Sequence, residues 1–161
     1  MATDPFWIET GLPVRLAIMP RPRSGDWLKD EIASLKAANV DVVVSLLDND
    51  EIADLELGEE GRLCGASDID FLRFPIADRG IPDVAVLRPF ARDLLARLRA
   101  EQSVVIHCRA GIGRSSLVAA SVLIEGGLSA ITALERITAA RGLRVPDTEQ
   151  QQDWIIAYAA R

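Results

Sequence analysis

Histidine and tyrosine each occur once in these 161 residues, and cysteine occurs twice. A single histidine and no Cys-x-x-Cys pair leave no ligand set for a metal ion, and no organic cofactor is expected either. Aromatic residues make up 5% of the chain, so a core must be built mostly from Leu, Ile, Val and Ala. No apolar run is long enough to cross a bilayer. The opening residues Met1 to Trp7 carry neither the basic nor the apolar region of a secretory signal. Excess positive charge is also missing. At a net charge of −6, general affinity for nucleic acid or a membrane surface is not expected, although a local basic pocket remains compatible.

What is present describes a folded chain. It is 49% hydrophobic and 26% charged, with no polar low-complexity tract, linker or internal repeat. The length suits one domain spanning 1–161, and the reading is a soluble cytoplasmic protein. Its oligomeric state is open, with a monomer the expectation.

Strand and helix signals alternate. Val14–Met19 reads as an early strand ended by Pro20-Arg21-Pro22. Ser24-Gly25-Asp26 offers helix-start chemistry, with Asp26 the expected cap. Leu28, Ile32 and Leu35 then recur at helical spacing through Asn39. The β-branched run 40–47 is the strongest strand signal. Residues 50–64 read as a helix weakened by Gly58 and Gly61, and 69–74 as an alternating strand. A turn-rich loop follows, then a helix to about Ala100 with Pro89 in its first turns. The strand 103–107 precedes helices near 114–125, 129–141 and 148–160. This order predicts an α/β three-layer sandwich, with a mostly parallel sheet of about 4–5 strands flanked by helices. Ligands of such sheets bind at the C-terminal strand ends, where the loops after Phe74 and His107 both lie. Trp7, Trp27 and Trp154 are scattered and read as packing residues.

The chemistry is concentrated in His107-Cys108-Arg109-Ala110-Gly111-Ile112-Gly113-Arg114-Ser115-Ser116. A buried strand delivers a thiol into a glycine-bearing turn that opens a helix. There the free backbone N–H groups of 109–114 can bind an anion. The helix N-terminus, those amides and the Arg114 cation all favour the thiolate. The same groups suit a phosphate dianion, with amides on its non-bridging oxygens and the guanidinium binding two of them. Gly111 and Gly113 let the backbone turn inward and approach closely. A motif that needs a free thiol points to a reducing compartment.

His-Cys-x-x-Gly-x-x-Arg-Ser resembles the signature of the cysteine-dependent protein tyrosine phosphatases. The small dual-specificity members, and their kinase-associated phosphatase branch, are the nearest match. The resemblance implies the phosphotyrosine protein phosphatase II-like fold, with Cys108 as nucleophile and Arg109, Ala110, Gly111, Ile112, Gly113 and Arg114 as the phosphate cradle. Ser115 corresponds to the hydroxyl residue that bonds the thiolate. His107 corresponds to the histidine that orients the loop, and is not itself an acid or base. Phe74-Pro75-Ile76-Ala77-Asp78-Arg79-Gly80-Ile81-Pro82 is similar to the loop that supplies the general acid, and Asp78 aligns with it. Asp83 competes for that role but suits a helix cap better. Gln151 falls where some relatives position water, although Thr148-Glu149-Gln150-Gln151 also spells a capping box. Cys64 could pair with Cys108 as distant cysteines do in some relatives, but a buried helical cysteine is the plainer reading. Arg79 could contact substrate, although most loop arginines are simply solvated.

Ser116 replaces a glycine of many relatives, an effect on helix packing. Ile112 stands where phosphoinositide-directed relatives carry lysine. The expected partner is therefore a phosphorylated protein, dephosphorylated at tyrosine and also at serine or threonine through a phosphocysteine. Phosphoinositides, inositol phosphates or RNA 5′-triphosphate are the alternative substrates. A non-catalytic phosphate-binding adaptor is the alternative from another class.

Overall fold

The computed structural model describes residues 2–161. Five strands form one sheet: β1 (Phe6–Trp7), β2 (Leu16–Met19), β3 (Val42–Ser45), β4 (Asp70–Arg73) and β5 (Val104–His107). Their spatial order is β1-β2-β5-β3-β4. The last four are mutually parallel, and β1 joins antiparallel to β2 at the edge. The sandwich expected from the alternation is thus present. β1 was not anticipated, because two residues carry no readable period.

The helices are α1 (Leu28–Ala37), α2 (Asn49–Asp54), α3 (Glu60–Ala66), α4 (Val84–Arg99), α5 (Arg114–Glu125), α6 (Ala130–Arg141) and α7 (Glu149–Ala159). Successive strand side chains point to opposite faces, which makes two cores, an upper one against α4 to α7 and a lower one against α1 and α3. Leu16, Ile18, Val44 and Ile106 face a cluster that includes Leu94, Leu117, Ile137 and Tyr158 of α4 to α7. Ala17, Met19, Val43 and Val105 face Leu28, Ile32 and Leu35 of α1 and Cys64 of α3. Helix α5 is enclosed, with every residue from Arg114 to Leu123 buried against the sheet, α4, α6 and α7. Each large apolar side chain removed from water there contributes about 1.5–3 kcal/mol. No helix among the described residues is long and apolar enough to cross a membrane.

Several local expectations need correction. Asp26 does not cap α1. It sits inside a 3-10 turn, Gly25–Trp27, and α1 starts behind Trp27 with no side-chain cap. Trp27 is not a packing residue either: it is 56% exposed, with Arg23 against its ring at 4.7 Å. The single helix expected over 50–64 is two. Asp48 opens α2 with a reciprocal capping box to Glu51, and the left-handed Glu56 (φ 55°) ends it. The Leu57 amide then reaches back to the Ile52 carbonyl at 3.0 Å, a Schellman closure that satisfies the helix end. Buried Leu57 plugs the lower core between α2 and α3. The ladder of β3 is shorter than 40–47, because Leu46 and Leu47 leave it while staying buried. Pro89 does lie in the early turns of α4 as expected, in the second, past the positions whose N–H groups are free in any helix. It therefore removes one donor from the helix ladder.

Candidate active site

Strands β4 and β5 end on the same edge of the sheet, so the loops that follow them meet. Between His107 and Arg114 the chain makes a tight turn over a cavity of about 160 Å³. Its walls are Cys108, Arg109, Ala110, Gly113, Arg114, Asp78, Arg79, Asp147 and Gln151. Asp78 and Cys108, thirty residues apart in the chain, share this cavity because their strands flank β3 on either side.

The turn has its carbonyls tied outward. The His107 carbonyl accepts from the Leu46 amide at 3.0 Å and the Arg109 carbonyl from the Arg21 amide at 3.2 Å. The Cys108 carbonyl accepts from His107 Nδ1 at 3.2 Å, and those of Ala110 and Gly111 accept from Arg141. Among the described residues, no amide of 109–113 donates to a protein acceptor. Unpartnered backbone donors favour an acceptor, and with Gly111 and Gly113 buried the turn is built to receive one from outside.

Gly111 is required twice over. Its φ is +70°, and a Cβ there would lie 2.5 Å from Pro20 N and 2.6 Å from the Met19 carbonyl carbon. Gly111→Ala is expected to cost about 2–4 kcal/mol from left-handed strain plus overlap, read as a lower urea midpoint at unchanged slope. Gly113 has no positive φ. Its Cβ would instead meet Gln151 Oε1 at 2.8 Å and Asp147 Cβ at 3.0 Å, so glycine here serves close approach.

Cys108 Sγ lies 3.4 Å from Ser115 Oγ. The thiol donates to this hydroxyl, and once it ionises the hydroxyl can donate in return. Arg114 is 2% exposed and grips Glu51 with both terminal nitrogens, at 2.6 and 2.8 Å. It also donates to the Ile76 carbonyl at 2.8 Å and to Asp78 Oδ1 at 3.1 Å. Four of its five N–H groups are thereby used, and Nε–H has no protein acceptor among the described residues. Burial opposes the Arg114 charge, but the Glu51 hydrogen bonds and the negative charges of Cys108, Glu51 and Asp78 outweigh it and raise its pKa. Burial would likewise raise Glu51. Hydrogen bonds from Arg114 and the Asp48 amide, with the charges of Arg114 and Arg109, hold it below its ordinary value instead.

His107 is buried beneath the turn. Its Nδ1 must carry a hydrogen, since a carbonyl only accepts, and its Nε2 lies 2.6 Å from Glu60 Oε2. One proton is shared between that nitrogen and the carboxylate. Glu51 and Glu60 were not picked out from the sequence. Glu51 had a signal in Asp48-x-x-Glu51, a capping box directly after a strand, whereas Glu60 had none.

Asp83 caps α4 by accepting from the Ala85 amide at 2.8 Å and does not line the cavity. Gln151 completes the capping box of α7 and also donates to the Gly80 carbonyl at 3.2 Å, linking α7 to the Asp78 loop. Ile112 packs against the upper core. Ser116 is buried and its hydroxyl has no partner among the described residues. Cys64 is a free buried thiol in the opposite core from Cys108. Burial and the nearby Glu60 charge push its pKa up to about 12, which leaves it inert. No group of three or more His, Cys, Asp or Glu side chains among the described residues is placed to hold a metal ion.

Residues 17–128 match the family model described as polymorphic toxin system, DSP-PTPase phosphatase. Over 83 residues the chain is 34% identical to cyclin-dependent kinase inhibitor 3 of Homo sapiens, covering 50% of this chain and 39% of that protein. It spans less than half the length of the curated relatives it matches. A crystal structure of kinase-associated phosphatase, with its catalytic-site cysteine replaced by serine, superposes with a TM-score of 0.89. The identity is 20%, with 99% of this chain and 96% of that one covered, a likeness of fold. The active form of Tk-PTP superposes with a TM-score of 0.76 at 26% identity, covering 96% and 97%.

Proposed function

The chain belongs to the DSP-PTPase phosphatase family of polymorphic toxin systems, and we propose that it is a cysteine-dependent phosphomonoester hydrolase of phosphoproteins. The substrate class is phosphotyrosine, with phosphoserine or phosphothreonine also accepted, and residues 1–161 supply the catalytic domain. A reduced thiol at Cys108 suits a cytoplasmic setting. The observation that carries the reading is the convergence of Cys108, Arg114 and Asp78 on one small cavity beside a turn of unpartnered amides, with Ser115 bonded to the thiol from behind.

In the proposed reaction the Cys108 thiolate attacks phosphorus in line with the leaving oxygen. The amides of 109–113 and the Arg114 guanidinium hold the three equatorial oxygens as charge redistributes. Nε–H and the second N–H of Nη2 form the edge offered to phosphate, so an incoming oxygen takes the place of Asp78 Oδ1 on Arg114. The displaced carboxylate takes up a proton from solvent as the phosphate dianion enters, and gives it to the leaving oxygen as the P–O bond breaks. In the second step Asp78 takes a proton from water. The water oxygen attacks phosphorus, and the sulfur leaves as thiolate with a hydrogen bond from Ser115. The Glu51 pair and the Ile76 carbonyl keep Arg114 aimed throughout.

Ile112 packs into the core and adds no further cation to the arginines already on the cavity wall, which supports a phosphoprotein over an inositol phosphate. Hydrolysis of an aryl phosphate in EDTA, comparing wild type with Asp78→Asn, tests the reading. Activity persists without metal, and the substitution lowers kcat about 10²–10³-fold for a nitrophenyl or alkyl ester. The loss shrinks for a dinitrophenyl ester, whose leaving oxygen needs no proton. An equal loss for both esters, or none for either, would move the acid elsewhere.

A further inference from the structure

Arg141 does not line the cavity, yet it holds the outer side of the turn that forms it. Its Nε donates to the Gly111 carbonyl at 2.9 Å and its Nη2 to the Ala110 carbonyl at 3.3 Å. The guanidinium carbon sits 4.3 Å from the centre of the Phe6 ring on β1. Arg141 is the last residue of α6, and the left-handed Gly142 ends the helix directly behind it. The side chain therefore leaves a helix C-terminus, where a cation is favoured, and meets the loop with its fork of donors.

We infer that Arg141 is a positioning residue for phosphate binding, acting through the Ala110 and Gly111 carbonyls. The inference rests on the phosphatase reading, since it gives the turn a ligand. A peptide unit is planar, so fixing the Ala110 and Gly111 carbonyls outward fixes the Gly111 and Ile112 amides inward. The other outward bonds of the turn come from the Leu46 and Arg21 amides and from His107. Arg141 alone serves two consecutive carbonyls, at the left-handed Gly111, where the backbone reverses. Its planar charge also stands behind the carbonyl ends of those two peptides. Lysine brings charge without a fork of fixed geometry. Phe6 packs its ring against the guanidinium, which ties the first strand to the phosphate turn.

The experiment uses the full chain with Arg141→Ala, Arg141→Lys and, as a control, Arg136→Ala. Arg136 lies on the same helix and donates to the Glu9 carbonyl, remote from the turn. Four quantities are read: unfolding midpoint, kcat and KM on an aryl phosphate, and the dissociation constant of orthovanadate by calorimetry. Arg141→Ala is expected to weaken vanadate and lower kcat/KM by about tenfold, as a misaligned cradle does. Arg141→Lys lies between, and added guanidinium at sub-denaturing concentration restores part of the loss in Arg141→Ala only. A folded Arg141→Ala protein with wild-type vanadate affinity and kcat/KM overturns the assignment, as does an equal loss in Arg136→Ala. A wild-type protein that binds vanadate but hydrolyses no phosphoester refutes the phosphatase reading, while the vanadate comparison still decides Arg141. Absence of vanadate binding by wild type overturns both.

Discussion

Cys108→Ser is expected to give a folded protein whose turnover of aryl phosphates falls by at least about 10⁴-fold, because an alcohol replaces a thiolate as nucleophile. The change is nearly isosteric at a side chain 2% exposed, and serine can keep the contact to Ser115 Oγ. Stability should therefore move by less than about 1.5 kcal/mol. Anion binding should persist, since the amides of 109–113 and Arg114 are untouched. Three measurements separate the outcomes: single-turnover hydrolysis, the unfolding midpoint and phosphate binding by calorimetry. Phosphate release at wild-type rate would sink the mechanism. Lost activity together with a collapsed midpoint would say only that the site tolerates no oxygen there.

The second large effect belongs to Glu51. Removing it by Glu51→Ala leaves the Arg114 guanidinium buried without its paired acceptor, a loss of about 3–5 kcal/mol in stability. It also removes the cap acceptor of the Asp48 amide. Glu51→Gln keeps the size and one oxygen but not the charge, so a smaller loss of stability is expected. In both variants Arg114 is released to swing, and kcat/KM falls more than the midpoint alone explains. The depressed pKa of Glu51 gives a pH signature. Because the folded pKa lies below the ordinary 4.5, the pair's contribution is full above that value. It is lost as pH falls through the lower folded value. Acid unfolding below about pH 4.5 should therefore be shallower in Glu51→Gln than in wild type. Equal acid limbs in the two proteins would show that Glu51 does not carry this dependence.

Local chemistry was legible in the sequence, and partners across the fold were not. The run 104–116 announced strand, turn and helix together, because its β-branched residues, glycines and apolar helix face agree with one another. Asp83 and Thr148 were readable as caps for the same reason. By contrast, the acceptors that hold Arg114 and His107 come from α2 and α3, 63 and 47 residues away. A carboxylate on a short surface-looking helix gives no sign that it turns inward. Residues 50–64 misled because the turn that ends α2 closes on Glu56, left-handed without being glycine, so Gly58 read as a weak point in one helix and not as a gap between two. Trp27 misled because a large aromatic residue is usually covered.

The helix that carries Arg114 and Ser115 is also the most enclosed of the helices, walled by the sheet and three others. Lids and binding loops elsewhere often belong to the weakly held parts of a molecule and open without disturbing the rest. Here the anion-gripping end of the site cannot fray by itself. Losing it means dismantling the cooperative unit, so thermal inactivation and global melting become one event.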